Sequence, residues 1–401
     1  MRIWKKFASP LFAMFCFCVT FSLSCNNDTP ISSRPDLIDP DDLGKRLQST
    51  TAVAIDTSDA EAINTYGGSY LALGKFDDFE SQMLIRFPKL TLADTVSFVA
   101  GTLKMPEHLT AGKGAAFEAT VHVVTAPWDS SKVIKLSDVM SNSMPFAQQQ
   151  IVPPAKDTTD VDTVSFKLDS TVVKSWRDPQ AAANGILIKA ANATFLKTFH
   201  SSFSVAKRPI LELVTRRRSG TKNDTTRLGL GPTVFLFQRF APLRSGPVYV
   251  GNGEKHTAVL YFNLDFLPKS ATINRATLTL EVDAANSALA ADGVTLRLFP
   301  LDTSYTAYRL NIDTVSVRSE RLTIAQLLQL QVANANTKTP SFSLTMTNIV
   351  QAWVLNPSQN LGMALLPAVP RNDLFRAALF SKETNPARAP KLEIVYTTPP
   401  Q

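Results

Sequence analysis

The sequence predicts an all-β protein made of two tandem antiparallel β-sandwich domains, and three observations carry that expectation. Apolar and polar residues alternate with a period of two in segment after segment, as in "ATLTLEV" (276–282) and "VTLRLFPL" (294–301). Half-buried strands require that alternation. β-Branched and aromatic residues fill these runs, and Pro, Gly, Asn and Asp separate them. The chain also repeats a phrase: "WRDPQAAANG" runs from Trp176 to Gly185 and "WVLNPSQNLG" from Trp353 to Gly362. The length left after a polar N-terminal region fits two domains better than one.

Taken in order, the elements of one copy find counterparts in the other. "SYLALGKFDDFESQMLIRF" (69–87) has the form of "VYVGNGEKHTAVLYF" (248–262), a short strand ending near a Gly, a charged turn, and a strand ending in Phe. "GTLKM" (101–105) matches "ATLTL" (276–280), and "TVHVV" (120–124) matches "TLRLF" (295–299). "VSFKLDSTVV" and "FSLTMTNIV" precede the two Trp residues, and "RPILELVT" and "APKLEIVYT" close the copies. Helical spacing is scarce. "SERLTIAQLLQLQVANA" (319–335) fits a helix, and "STVVKSW" and "TNIVQAW" each fit one turn. In the repeated phrase, Trp covers the sandwich, Pro stops the turn and Gly starts the next strand. Trp176 and Trp353 are therefore expected in the core.

The ordered combination "YVGNG" or "YLALG", "LYFNLDFLP" or "LIRFPKL", "ATINRATLTLEV", "IVQAWVLNPSQNLGMAL" and "FSKETNPARAPKLEIVYT" resembles the DNRLRE domain family. That resemblance implies jelly-roll-type sandwiches of the carbohydrate-binding-module kind. It places a first domain over 50–215 and a second, better-matching one over 232–398. The basic stretch 216–231, with "TRRRSGTKNDTTR" at its start, reads as a solvated linker, or as a surface for acidic polymers.

The N-terminus is expected to lie outside the fold. "MRIWKK" followed by an apolar run and small residues has the layout of an export signal. The Cys at the junction makes residues 1–24 resemble a bacterial lipoprotein signal, with Leu23 one place closer to Cys25 than usual. The Cys residues are 16, 18 and 25, so cleavage before Cys25 leaves a single one, expected to carry the lipid. Residues 25–49 are polar and read as a flexible tether. The expected location is the cell envelope, at the outer membrane or cell surface. Net charge is +7, of which Arg2, Lys5 and Lys6 carry three, leaving about +4 after the signal. That balance does not point to nucleic acid.

The chain offers little for catalysis. His108, His122, His200 and His256 are isolated in sequence, and no GxSxG element, P-loop or dinucleotide fingerprint occurs. The carboxylate clusters Asp77, Asp78 and Glu80; Asp157, Asp160 and Asp162; and Glu281 with Asp283 read as solvated charge. The first has oxygen ligands suited to calcium but too few of them. No cofactor and no metal are expected, and the protein is not expected to be an enzyme.

Binding is the remaining route. Trp128 follows "VHVV", and Tyr305 and Tyr308 follow the equivalent "LRLF". These rings are the carbohydrate-stacking candidates, against packing on the sandwich edge, with Tyr66 and Tyr70 a second pair. The function implied is non-catalytic carbohydrate binding or adhesion on a lipid-anchored envelope protein. The alternatives are a structural or protein-interaction scaffold and, third, a polysaccharide-degrading enzyme.

Overall fold

The computed structural model describes residues 44–400, except 63, 94, 112–113, 154–161, 206, 290–294, 302–327, 332–340 and 368–373. Two strands come first, β1 (Lys45–Ala52) and β2 (Ile55–Ala62). Six follow: β3 (Tyr70–Phe76), β4 (Phe79–Ile85), β5 (Val96–Ala111), β6 (Phe117–Val123), β7 (Ala147–Ile151) and β8 (Thr163–Leu168). Short helices α1 (Ser170–Ser175) and α2 (Pro179–Asn184) precede β9 (Ile186–Ala191), β10 (Leu196–His200), β11 (Ile210–Arg217), β12 (Asn223–Gly229) and β13 (Thr233–Arg239). The second half holds β14 (Val248–Asn252), β15 (Glu254–Tyr261), β16 (Thr272–Glu281), β17 (Thr295–Pro300), β18 (Leu328–Gln331) and β19 (Ser341–Thr345). It ends with α3 (Thr347–Leu355), β20 (Met363–Pro367), β21 (Phe375–Leu379) and β22 (Lys391–Thr398).

The protein is all-β, and the described ladders are antiparallel sandwiches. In the second half a four-stranded sheet, β1-β22-β16-β19, faces a seven-stranded one, β18-β17-β20-β15-β14-β21 with β2 on β15. Alternation decides which side chains meet: Ala276, Leu278 and Leu280 of β16 point inward while Thr277 and Thr279 do not. They pack against Leu260, Leu298 and Leu365 of the opposite sheet in one core. In the first half a single eleven-stranded sheet curls over itself, in the order β12-β11-β5-β10-β3-β4-β9-β6-β7 with β8 on β5 and β13 on β4. Leu103, Phe166, Leu211 and Leu213 meet Leu73, Met83, Val121 and Ile188 inside it.

The two halves repeat each other strand for strand. The order β12-β11-β5-β8 matches β1-β22-β16-β19, and β10-β3-β4-β9-β6-β7 matches β21-β14-β15-β20-β17-β18. Trp176 and Trp353 occupy equivalent core positions, as expected, Trp176 stacked on Phe87 with ring centroids 3.9 Å apart. After each, a Gly with positive φ (Gly185, 70°; Gly362, 94°) passes close to the adjacent strand of the sheet, β4 for Gly185 and β15 for Gly362. A Cβ on Gly185 would collide with the Ile85 carbonyl oxygen.

The expected boundaries need correction. The 50–215 domain contains β2, and the 25–49 tether contains most of β1, yet both strands belong to the second sandwich. β1 pairs with the C-terminal β22 from Lys45↔Thr398 to Ala52↔Lys391, and β2 pairs with β15 from Ile55↔Tyr261 to Ala62↔Glu254. Conversely, the 216–231 linker is no linker: it turns β11 into β12, registered from Arg216↔Asn223 to Ile210↔Gly229. β13, assigned by sequence to the second domain, lies on β4 of the first, from Thr233↔Ile85 to Arg239↔Phe79. The first sandwich is thus contiguous, β3 to β13, whereas the second is closed by the N-terminal arm. The arm is pinned by Val53 N–H to the Pro390 carbonyl (3.1 Å), Lys382 N–H to Asp56 Oδ2 (2.7 Å) and Tyr249 N–H to Ser58 Oγ (3.0 Å).

Local expectations also changed. Within 319–335, residues 328–331 form β18 on β17 rather than part of a helix. Both helices form, α1 over six residues and α3 over nine rather than one turn. α1 is capped by Asp169, whose Oδ1 accepts from Thr171 N–H at 2.7 Å, and α3 has no side-chain cap, so neither uses the expected hydroxyl.

Candidate functional site

Where the sandwiches meet, the charged β3–β4 turn finds a partner from the far end of the chain. Asp77 takes a positive φ there (53°), and Arg376 of β21 reaches across the junction. Its Nη1 lies 2.7 and 2.8 Å from the Asp78 carboxylate oxygens and its Nη2 2.9 Å from Asp77 Oδ2. Arg239, at the end of β13, ion-pairs with Glu254 and lies 4.0 Å from Asp78. His256 is 2% exposed, with Nε2 3.5 Å from an Arg239 nitrogen. Burial first, and then the Arg239 and Arg376 cations, push its pKa down to about 4. The imidazole is therefore neutral near pH 7, and its 3.3 Å contact with Glu254 is not an ion pair there.

Beside this cluster a groove of 340 Å³ opens, with Arg239 and Glu254 in its lining. β13 supplies one wall through Val234, Leu236 and Gln238, and the loop 133–137 supplies the other. Thr65 fixes the wall, its Oγ donating to the Phe235 carbonyl at 2.7 Å and accepting the Phe235 N–H at 3.1 Å. Ile134 and Leu136 join Val234 and Leu236 in a small apolar cluster, while Asn64, Lys135, Ser137 and Gln238 offer polar groups. An apolar floor with a polar rim suits a neutral or amphipathic ligand.

Trp128 stands behind that loop, half-buried against the same cluster. The Arg86 guanidinium lies over its ring, 4.0 Å from the centroid, and its Nε1–H donates to the Asn184 carbonyl at 2.9 Å. Arg86 also donates to the Trp128 carbonyl. One ring face and the indole donor are thus engaged within the protein, so Trp128 buttresses the groove loop and is absent from the groove lining. Tyr305 and Tyr308 lie outside the described residues, as does Cys25.

The histidines are less isolated than their sequence positions imply. The Tyr70 and His108 rings stack at 3.8 Å, and His200 sits 5.4 Å from each. His200 Nδ1 lies 2.7 Å from Ser204 Oγ, both residues being buried, and burial lowers the imidazole pKa. Without access for a substrate, this contact is structural. Strand pairing of Tyr70 with His200 brings the rings together, which spacing along the chain does not reveal. Of the carboxylate clusters, Asp157 and Asp160 lie outside the described residues, and the Glu281–Asp283 pair has structural work. Glu281 accepts from Arg388 Nε at 2.6 Å, and Asp283 caps Ala285 N–H at 3.1 Å. Among the described residues no three His, Cys, Asp or Glu side chains converge as metal ligands. Among the described residues, no helix is long and apolar enough to cross a membrane.

Compared with protein-family models, curated proteins and solved structures, the chain finds no match.

Proposed function

We propose that this chain is an exported, lipid-anchored envelope protein whose paired sandwiches bind carbohydrate without catalysis. The observation that carries the reading is the groove between β13 and the 133–137 loop, with its apolar floor and hydrogen-bonding rim. The DNRLRE-like order of motifs and the lipoprotein-like start at Cys25 agree with it. Trp128 enters as the support of the groove loop, and Tyr305 and Tyr308 remain stacking candidates by their place in the sequence after β17. A glycan-array and insoluble-polysaccharide pull-down tests the proposal, with Gln238→Trp as a groove-filling variant of unchanged Tm. Binding by the parent and loss in the variant supports the groove. Undiminished binding by the variant removes the groove, and no retention on any polysaccharide favours the second reading, an envelope scaffold. The ion pairs from Arg376 of the second sandwich to Asp77 and Asp78 of the first favour that scaffold reading, because they tie the two sandwiches together.

A further inference from the structure

The sheet β8-β5-β11-β12 turns one face to solvent. Leu103, Phe166, Leu211 and Leu213 point inward, so their neighbours Lys104, Lys167 and Glu212 point out, and Arg227 stands beside Glu212. Pairing puts Lys167, Thr102, Glu212 and Arg227 in one row across the four strands. At about 4.8 Å per strand, Lys167 and Arg227 stand about 14 Å apart. Arg216 lies further along β11, its Nε 3.1 Å from Asn223 Oδ1. Glu212 is the acid in this row, and it is shared by Lys104 at 3.0 Å and Arg227 at 3.2 Å.

The hairpin tip extends the charge. Arg217, Arg218 and Lys222 are exposed, and no ion pair among the described residues involves them. From Arg216 to Arg227 there are five cations against Asp224. That net +4 equals what the whole chain retains once Arg2, Lys5 and Lys6 are set aside, so the remaining protein is balanced. Protection of an exposed edge accounts for charges on β12 but not for the three consecutive Arg beginning on β11, an inner strand.

The second sandwich supplies an internal control. Its equivalent sheet β19-β16-β22-β1 pairs Arg275 with Glu393 at 3.0 Å and Glu281 with Arg388, just ahead of β22, at 2.6 Å, and it also carries the exposed Lys45, Arg46 and Lys391. The strands of both sheets carry a net +2, and the first copy alone adds Arg218 and Lys222 in the turn between β11 and β12.

We infer that the β8-β5-β11-β12 face and its hairpin tip bind an acidic polysaccharide, one bearing uronate carboxylates or sulfates. This rests on the exported, glycan-binding reading but uses a different surface from the groove. A flat bilayer would meet the sheet face or the tip from one side, whereas a flexible chain can follow cations around the ribbon. The tip "RRSGTKN" (217–223) has no aromatic or large apolar residue to enter a membrane. The side chains between the cations, such as Thr102, Ala100 and Val214, provide no ring on which a nucleic-acid base could stack.

The test uses the full chain in detergent on immobilised polygalacturonate and dextran sulfate, with neutral dextran and single-stranded poly(dT) in parallel. The expected result is retention on the two acidic glycans that weakens steeply with salt. A Lys167→Ala/Arg216→Ala/Arg218→Ala variant should lose affinity by on the order of tenfold or more. Arg46→Ala/Arg275→Ala/Lys391→Ala, on the second sandwich, should lose little although its net charge falls equally. Equal losses in the two variants, or none in the first, would overturn the inference. Tighter binding of poly(dT) than of polygalacturonate would replace it with a nucleic-acid site. Gln238→Trp should leave acidic-glycan retention intact, so failure of the groove and failure of this face are separately visible.

Discussion

Removing the N-terminal arm should destabilise the far sandwich and spare the near one. Deleting residues 44–62 takes away β1 and β2, sixteen residues that pair with β22 and β15. Each ladder hydrogen bond contributes about 0.5–1.5 kcal/mol net. Freeing each residue returns about 1–2 kcal/mol of backbone entropy, so the ladders nearly cancel. What remains is side-chain burial. Val53, 5% exposed in the second core, contributes about 1.5–3 kcal/mol, and Leu47, packed at its margin, adds part of a similar amount. The net loss is therefore about 3–5 kcal/mol, which lowers the Tm of a sandwich of this size by on the order of 10 °C. Hydrogen exchange read peptide by peptide during thermal or urea unfolding is the assay. Peptides of β15, β16 and β22 should lose protection early, and those of β6, β9 and β11 should not. Equal protection in both sandwiches, or early loss in β3–β11 instead, would refute the arm's placement.

Two further predictions follow from buried groups. Trp353→Ala should cost about 3–5 kcal/mol, since it empties a large volume in the second core, and an unchanged denaturant midpoint would place the ring outside it. His256 has a folded pKa of about 4 against about 6.5 when unfolded, so the unfolded chain binds the extra proton between those values. Stability should therefore fall by up to about 3 kcal/mol as pH drops from 6.5 to 4, and His256→Gln should flatten that part of the stability-versus-pH curve.

What could be read from the sequence was whatever repeats locally. Alternation in "ATLTLEV" marks β16, and the twin Trp phrases mark the same place in each core because a large ring and a positive-φ Gly leave a composition trace. Strand allocation leaves none. β12 reads "NDTTRLG" and is exposed nearly throughout, and β1 reads "KRLQSTTA" with exposure at every other position. Both looked like linker or tether because few of their side chains are buried, so their pairing leaves little apolar alternation in the sequence. The Asp77-Asp78 turn looked solvated for a related reason: Arg376 lies about three hundred residues away. Trp128 was recognisable as an unusual loop aromatic, but its guanidinium cover comes from Arg86 on a neighbouring element.

Chain order and spatial order run opposite ways in this molecule. The first strand after the N-terminal region lies beside the last strand of the protein, so anything attached upstream of Lys45 is mechanically attached to the second sandwich. If the proposed lipid anchor is present, a load on it reaches β22 and β16 before any part of the first sandwich. The protein would stand on the domain made last and hold out the one made first, together with its groove and its basic sheet.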